Sequence, residues 1–162
     1  MIRPAKLSDS GKIAEIYNHY ILYTTANFEE EAVTAEMMSF RIEDVQQSYP
    51  WLVYETMEGQ ILGYAYATGW KSRCGYRQTV ETSVYLKKDA HGQGIGSALY
   101  DKLLRLLVEM KIHAVIGGIA LPNAASVKLH EKFGFEKVAQ FREVGKKFGE
   151  WIDVGYWEKI LV

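Results

Sequence analysis

The turn His91-Gly92-Gln93-Gly94-Ile95-Gly96 constrains this chain more than any other feature. Before it, Thr79–Leu86 is rich in β-branched and aromatic residues and reads as a strand. After it, Ile95, Leu99, Leu103, Leu106 and Met110 recur at helical spacing and predict a helix with one apolar face. Glycines at such a junction let the backbone turn tightly and gather several N–H groups on one concave side. The helix that follows adds its own unpaired amides and the positive end of its dipole. A pyrophosphate is the natural occupant.

Spacing separates the phosphate motifs that share this look. A nucleotide-hydrolase loop needs Lys and then Ser or Thr after the last glycine, and Ser97-Ala98 follows here. A dinucleotide-binding fingerprint needs a third Gly or Ala where this chain has Ser97. It also needs an acid about 20 residues on, yet Val115-Ile116-Gly117-Gly118-Ile119 carries none. Neither motif is met.

The rest of the chain supplies the frame. Residues 1–6 read as a short strand, and Asp9 is placed to cap a helix carrying Ile13, Ile16, Tyr17, Tyr20 and Ile21. A second helix is expected from Thr34 towards Gln47. Trp51–Thr56 and Ile61–Trp70 flank the turn Met57-Glu58-Gly59-Gln60 as a hairpin. Ala114–Ile119 reads as a buried strand, and Pro122-Asn123 opens a helix that ends at a left-handed Gly134. Phe135–Val144 and Trp151–Ile160 form an antiparallel pair around Gly149. The order β-α-α-β-β-β-α-β-α-β-β predicts an α/β (α+β) fold, a mixed, mostly antiparallel twisted sheet with helices on both faces. One domain over residues 1–162 suits the length.

Nineteen basic and twenty acidic side chains give a net charge of -1, so no nucleic-acid partner is expected. The single cysteine, Cys74, rules out an internal disulfide framework and a cysteine-built zinc site, and no metal is expected. No apolar run reaches the ~20 residues that cross a bilayer. The polar start MIRPAKLSDS lacks a signal peptide, so no membrane partner is expected and the cytoplasm is the default.

Gly94-Ile95-Gly96 resembles the glycine half of the acyl-CoA turn of the GNAT acetyltransferase superfamily, whose pattern is Gln/Arg-x-x-Gly-x-Gly/Ala. His91 stands where that pattern has Gln or Arg. The superfamily's later motif resembles Asn123 followed by His130-Glu131-Lys132-Phe133-Gly134-Phe135. Much of the chain resembles the phosphinothricin and methionine sulfoximine or sulfone acetyltransferase branch, through stretches such as Ile16-Tyr17-Asn18, Tyr49-Pro50-Trp51-Leu52-Val53, Trp70-Lys71-Ser72-Arg73, Thr79-Val80-Glu81 and Trp151-Ile152-Asp153-Val154-Gly155.

The resemblance implies a GNAT-like sheet and direct transfer of acetyl from acetyl-CoA to the α-amine of a small amino-acid-like compound. Glu81 is then the candidate general base, because amide formation needs an uncharged amine; otherwise it is an ordinary strand acid. His130 is the second catalytic candidate, as base, acid or orienting group, or else a structural helix histidine. The donor would meet Val84, Tyr85 and Leu86 along a strand edge, the turn from His91, Gly92, Gln93, Gly94, Ile95 and Gly96 to Ser97, and Asn123. Asn123 reads equally well as a helix N-cap. The acceptor would meet Phe28, Trp70, Lys71, Arg73 and Tyr76, the cations suiting an anionic substrate group. The aromatic stretch Phe148–Trp157 is expected to form a homodimer surface. The competing readings are a protein N-acetyltransferase, disfavoured by the basic loop at Lys71 and Arg73, and a non-catalytic CoA-binding sensor, disfavoured by Glu81 and His130.

Overall fold

The computed structural model describes residues 1–161. The chain runs β1 (Ile2–Pro4), α1 (Ser10–Tyr23), α2 (Ala35–Gln46), β2 (Trp51–Glu55), β3 (Ile61–Gly69), β4 (Thr79–Leu86), α3 (Ile95–Glu109), β5 (Ala114–Ala120), α4 (Ala124–Lys132), β6 (Glu136–Lys147) and β7 (Glu150–Ile160). Three short 3-10 turns, Leu7–Asp9, Cys74–Tyr76 and Lys88–Ala90, complete it. The strands form one sheet in the order β1-β2-β3-β4-β5-β7-β6. Every neighbouring pair is antiparallel except β4 and β5. The mixed, mostly antiparallel sheet expected from the sequence is the one observed.

Strand alternation sends side chains to two apolar layers. Leu52, Ala65, Ala67, Val80 and Val115 meet α3 on one face, with Leu129 and Phe133 of α4 packed beside them. Trp51, Val53, Ile61 and Tyr64 meet α1 and α2 on the other. Helices therefore cover both faces. Each Val, Leu or Ile side chain fully buried in these layers contributes roughly 1.5–3 kcal/mol.

Several boundaries and side chains differ from expectation. Thr34 does cap α2, its hydroxyl accepting from the Met37 amide at 3.1 Å. Asp9 does not cap α1 with its side chain. Its carboxylate instead takes the Arg3 guanidinium at 2.7 Å and the Lys6 amide at 2.8 Å. Burial pushes the Asp9 carboxyl up, but Arg3 and the Lys6 amide outweigh it and leave it below its ordinary value. On α3 the buried stripe is Ile95, Leu99, Tyr100, Leu103, Leu104 and Leu107, while Met110 is exposed. Period 3.6 moves the stripe off a strict i+4 series within three turns. Gly134 adopts φ 81, as its place after α4 requires. Phe148 and Gly149 both have positive φ, so a two-residue turn joins β6 to β7. In that hairpin Phe148 and Trp151 are exposed, whereas Trp157 is core and cannot serve a surface. Among the described residues no helix is long and apolar enough to cross a membrane.

Candidate functional site

The parallel pair β4 and β5 opens into a cleft. Their register covers only Thr79↔Ala114, Val80↔Val115 and Glu81↔Ile116. Beyond Glu81 the two strands part, because β4 stays paired with β3 up to Leu86 and β5 stays paired with β7 up to Ala120. The gap is a cavity of about 200 Å³ bounded by Thr82–Leu86 on one side and by Gly118, Ile119 and Ala120 on the other. Asn123 and His130 of the α4 segment, His91 and Gly96 of the glycine turn, and Tyr20 and Ala26 close its rim.

Backbone alternation shows which groups the cleft receives. Lys87 donates to the Leu62 carbonyl at 2.8 Å, so Glu81, Ser83 and Tyr85 pair with β3 and the residues between them do not. Thr82, Val84 and Leu86 thus turn their N–H and C=O towards the cleft. At Leu86 those groups are covered: the Tyr20 hydroxyl donates to the Leu86 carbonyl at 2.7 Å and accepts its N–H at 3.3 Å. The same hydroxyl lies 3.2 Å from His91 Nε2. Of the three residues expected to meet the donor along this edge, Val84 has its backbone groups open and Leu86 does not. Tyr85 contributes its ring, packed against Tyr17 and Tyr20, rather than its backbone.

The glycine turn has the predicted geometry. Gly92 and Gly94 take φ 76 and 78, a left-handed backbone where a Cβ would be strained. No side chain caps α3, so its first amides remain available. Gln93 folds back, donating to the Asp89 carbonyl at 2.9 Å, and the Ser97 hydroxyl accepts from Lys132 Nζ at 3.0 Å. Ile95 is buried beneath the turn. Asn123 caps α4, accepting the Ser126 amide at 3.1 Å, while it lines the cleft. The two readings of Asn123 describe one position.

Glu81 stands where the strands part. Thr82 faces α3, its hydroxyl 2.6 Å from the Tyr100 hydroxyl, so Glu81 points to the opposite face. Gly118 leaves room for it: a Cβ there would lie 3.1 Å from Glu81 Oε1 and 3.1 Å from Tyr156 Cε1. Burial pushes the Glu81 carboxyl above its ordinary value. Trp70 packs edge-on against Tyr156 at 5.6 Å, and Phe141 does so at 5.7 Å. Glu81, Gly118, Tyr156, Trp70 and Phe141 therefore make one aromatic recess. Lys71 lies over the Trp70 and Tyr76 rings at 5.7 and 5.9 Å. With Ser72, Arg73 and Tyr76 it lines a shallow depression of its own beyond Trp70. Phe28 is seated on Gly145 of β6, where a Cβ would collide with its ring.

His130 lies on the other face of β5. Its Nδ1 is 2.7 Å from the Ser126 carbonyl, so Nδ1–H donates and Nε2 is the acceptor. Nε2 is buried without a partner among the described residues and faces Gly117, where a Cβ would overlap the ring. Burial lowers the imidazole pKa, the Ser126 carbonyl opposing it. Gly117 admits His130 and Gly118 admits Glu81 from opposite sides of one strand. The paired glycines inside a buried strand were the sequence signal for this, since such glycines mark close approach. Tyr20 and Tyr156 carried no local signal. Among the described residues no cluster of three His, Cys, Asp or Glu is gathered to hold a metal.

Known proteins resemble the chain over almost its whole length. Residues 2–155 match the family profile described as Acetyltransferase (GNAT) domain. A phosphinothricin N-acetyltransferase of Streptomyces viridochromogenes is 41% identical over 158 residues, which cover 98% of this chain and 86% of that protein. An L-methionine sulfoximine/L-methionine sulfone acetyltransferase of Pseudomonas aeruginosa is 37% identical over 158 residues, covering 97% of this chain and 92% of that protein. Among solved structures, an acetyltransferase of Salmonella typhimurium described with its cofactor acetyl-CoA matches with a TM-score of 0.97 at 37% identity. That match covers 100% of this chain and 94% of the other.

Proposed function

The chain belongs to the GNAT acetyltransferase family, and from that premise we propose that it transfers acetyl from acetyl-CoA to the α-amine of a small amino-acid-like compound. Phosphinothricin, methionine sulfoximine and methionine sulfone define the acceptor type, in keeping with the names of its relatives. One observation carries this reading. The Glu81 carboxyl sits at the last paired residue of β4, one position before the open edge begins.

The residues present suit the donor. The uncapped amides at the start of α3, with the left-handed Gly92 and Gly94, form an anion cradle. The free edge at Val84 offers an N–H and a C=O to an amide-bearing arm, and the cleft between β4 and β5 gives that arm a channel. When bound, acetyl-CoA supplies the electrophilic thioester carbonyl. The Val84 N–H is the proposed donor that polarises this carbonyl. Glu81 would take one proton from the acceptor ammonium, the neutral nitrogen would form the C–N bond as the C–S bond breaks, and the second nitrogen proton would go to the departing thiolate, which leaves as free thiol. Raised by burial, its carboxylate is a stronger base than an exposed one. His130 presents an acceptor nitrogen, its Nδ1–H is spent on the Ser126 carbonyl, and burial disfavours its charged form, so its proposed part is to orient the cleft wall rather than deliver a proton. Lys71 and Arg73, beyond Trp70, are the proposed partners of the acceptor's anionic group.

Thiol release measured on phosphinothricin, methionine sulfoximine and methionine sulfone tests the reading. Turnover of at least one is expected. Turnover of peptide amines alone would replace it with a protein acetyltransferase.

A single-domain cytoplasmic homodimer is the proposed working form. Phe141, Val144, Phe148 and Trp151 are each more than half exposed on the edge hairpin β6–β7. Sedimentation is expected to give a dimer at micromolar concentration, and a monomer throughout would reject that surface.

A further inference from the structure

The segment between α1 and α2 is tied to both of those helices. Asn18 of α1 exchanges two hydrogen bonds with Val33, at 2.8 and 2.9 Å. Glu29 takes the Arg41 guanidinium of α2 through both oxygens, at 3.0 and 2.7 Å, and the Tyr17 hydroxyl of α1. Its middle is held from elsewhere. Asn27 and Phe28 are gripped by the distant edge strand β6, across 120 residues of chain.

The grip has two parts, two positions apart on one side of the strand. Gly145 has no side chain, and the Phe28 ring fills the space a Cβ would need. Lys147 is 2% exposed, and its ammonium donates to the Tyr20 carbonyl at 3.2 Å, the Asn27 carbonyl at 2.9 Å and Asn27 Oδ1 at 3.2 Å. Three donors meet three oxygens, so the buried cation is fully hydrogen-bonded although no carboxylate pairs with it among the described residues. The Tyr20 carbonyl belongs to the last turn of α1, where a positive charge is also favoured by the helix dipole. A bulge aims both residues: Glu143 takes φ 52, and Asp153 accepts its amide at 2.8 Å and the Gln140 amide at 2.8 Å. A methionine would fill the Lys147 site with less desolvation cost. The charge therefore serves placement rather than burial.

What it places is a wall of the cleft. Ala26, next to Asn27, lines the cavity together with Ser83 and Tyr85, which share the sheet face of Glu81. We infer that Lys147 and Gly145 are positioning residues for the reaction, fixing from β6 the segment 24–34 that carries Phe28 and walls the cleft on the Glu81 face. This rests on the acetyl-transfer reading above. The grip falls on Tyr20, Asn27 and Phe28, apart in sequence from the donor's anion cradle at residues 92–97.

Two variants test it, Lys147→Met and Gly145→Ala, each compared with wild type by hydrogen exchange, calorimetric acetyl-CoA binding and steady-state kinetics. Exchange in residues 24–34 is expected to rise in both. The KM of the best acceptor should rise about tenfold or more, with kcat and acetyl-CoA affinity within about threefold. If Lys147→Met does not fold, Gly145→Ala alone carries the comparison, since it leaves the cation in place. Unchanged exchange at 24–34 overturns the inference. So does an acceptor KM that stays put, or a donor affinity that falls in step with it. A wild type that acetylates none of the amines fails the acetyl-transfer reading instead, and exchange then still decides whether the clamp exists.

Discussion

Replacing Glu81 with glutamine is expected to lower kcat about 10²–10⁴-fold, the usual worth of a positioned general base. Acetyl-CoA affinity should change by less than about twofold, because the change removes an interaction made with the acceptor's proton and not with the donor. The substitution is a clean probe. Burial is the one cause moving the Glu81 carboxyl, so no ion pair is broken when its charge is removed. The amide also fits the space left by Gly118 as the carboxyl does. The pH profile supplies an independent check. The base works ionised, so wild-type kcat/KM should fall as pH drops through the Glu81 pKa. That acid limb should lie above the ordinary glutamate value of about 4.3, since burial raises the group. Glutamine should abolish this limb and leave the one set by the amine. Steady-state thiol release across pH, with calorimetric binding of acetyl-CoA, measures both effects. An unchanged kcat would take Glu81 out of the role.

The parts of the fold that local chemistry dictates were readable. The Thr34 cap, the hairpin turn at residue 59, the left-handed Gly134 and the strand-turn-helix around Gly92 and Gly94 all follow from residues within a few positions of each other. The features that make the cleft are long-range. Nothing near Glu81 announces that its parallel partner leaves after Ile116, because β5 is drawn away by the antiparallel ladder to β7. The Tyr20 hydroxyl reaches Leu86 across 66 residues, and no periodicity encodes that contact. Alternation puts Trp151 and Trp157 on one face of β7, and only packing separates them: Trp157 joins the apolar layer under α3, whereas Trp151 lies exposed at the hairpin end.

The site divides the same way. The donor turn stands out by residue type at a strand-to-helix junction, and Glu81 through the resemblance of its flanking stretch Thr79-Val80-Glu81. Which face each side chain takes depends on the register of β5. Glu81 and His130 were expected in one site, yet they approach the strand from opposite sides through adjacent glycines. A one-residue slip of β5 would put Ile119 against Glu81 or Ile116 against His130, closing one of the two pockets. Phe28 was expected as a substrate wall, and its seat on Gly145 makes it first a packing contact with β6.

The adjacent glycines allow a test of what His130 is for. An alanine at an ordinary strand glycine usually helps, by about 0.4–1 kcal/mol, through the entropy of the unfolded chain. Gly117→Ala should do the reverse and cost about 1–3 kcal/mol, the penalty of overpacking a filled site. The new methyl meets the His130 ring, which cannot step aside. Its Nδ1 is held by the Ser126 carbonyl, and the ring packs edge-on against Tyr100 and Phe135, each 5.2 Å away. His130→Ala should also destabilise, by losing that hydrogen bond and leaving a hollow under α4. The double variant should then be less damaged than the sum, with a coupling of about 1–2 kcal/mol, since the methyl enters the space the imidazole left. Urea denaturation of the three variants measures the cycle, and costs that simply add would show that ring and strand do not share this space. Thiol release on the same proteins separates the roles. An orienting His130 predicts that His130→Ala loses about tenfold in kcat, well short of the Glu81→Gln loss. A loss as large as that of Glu81→Gln would instead make the imidazole a participant in proton transfer.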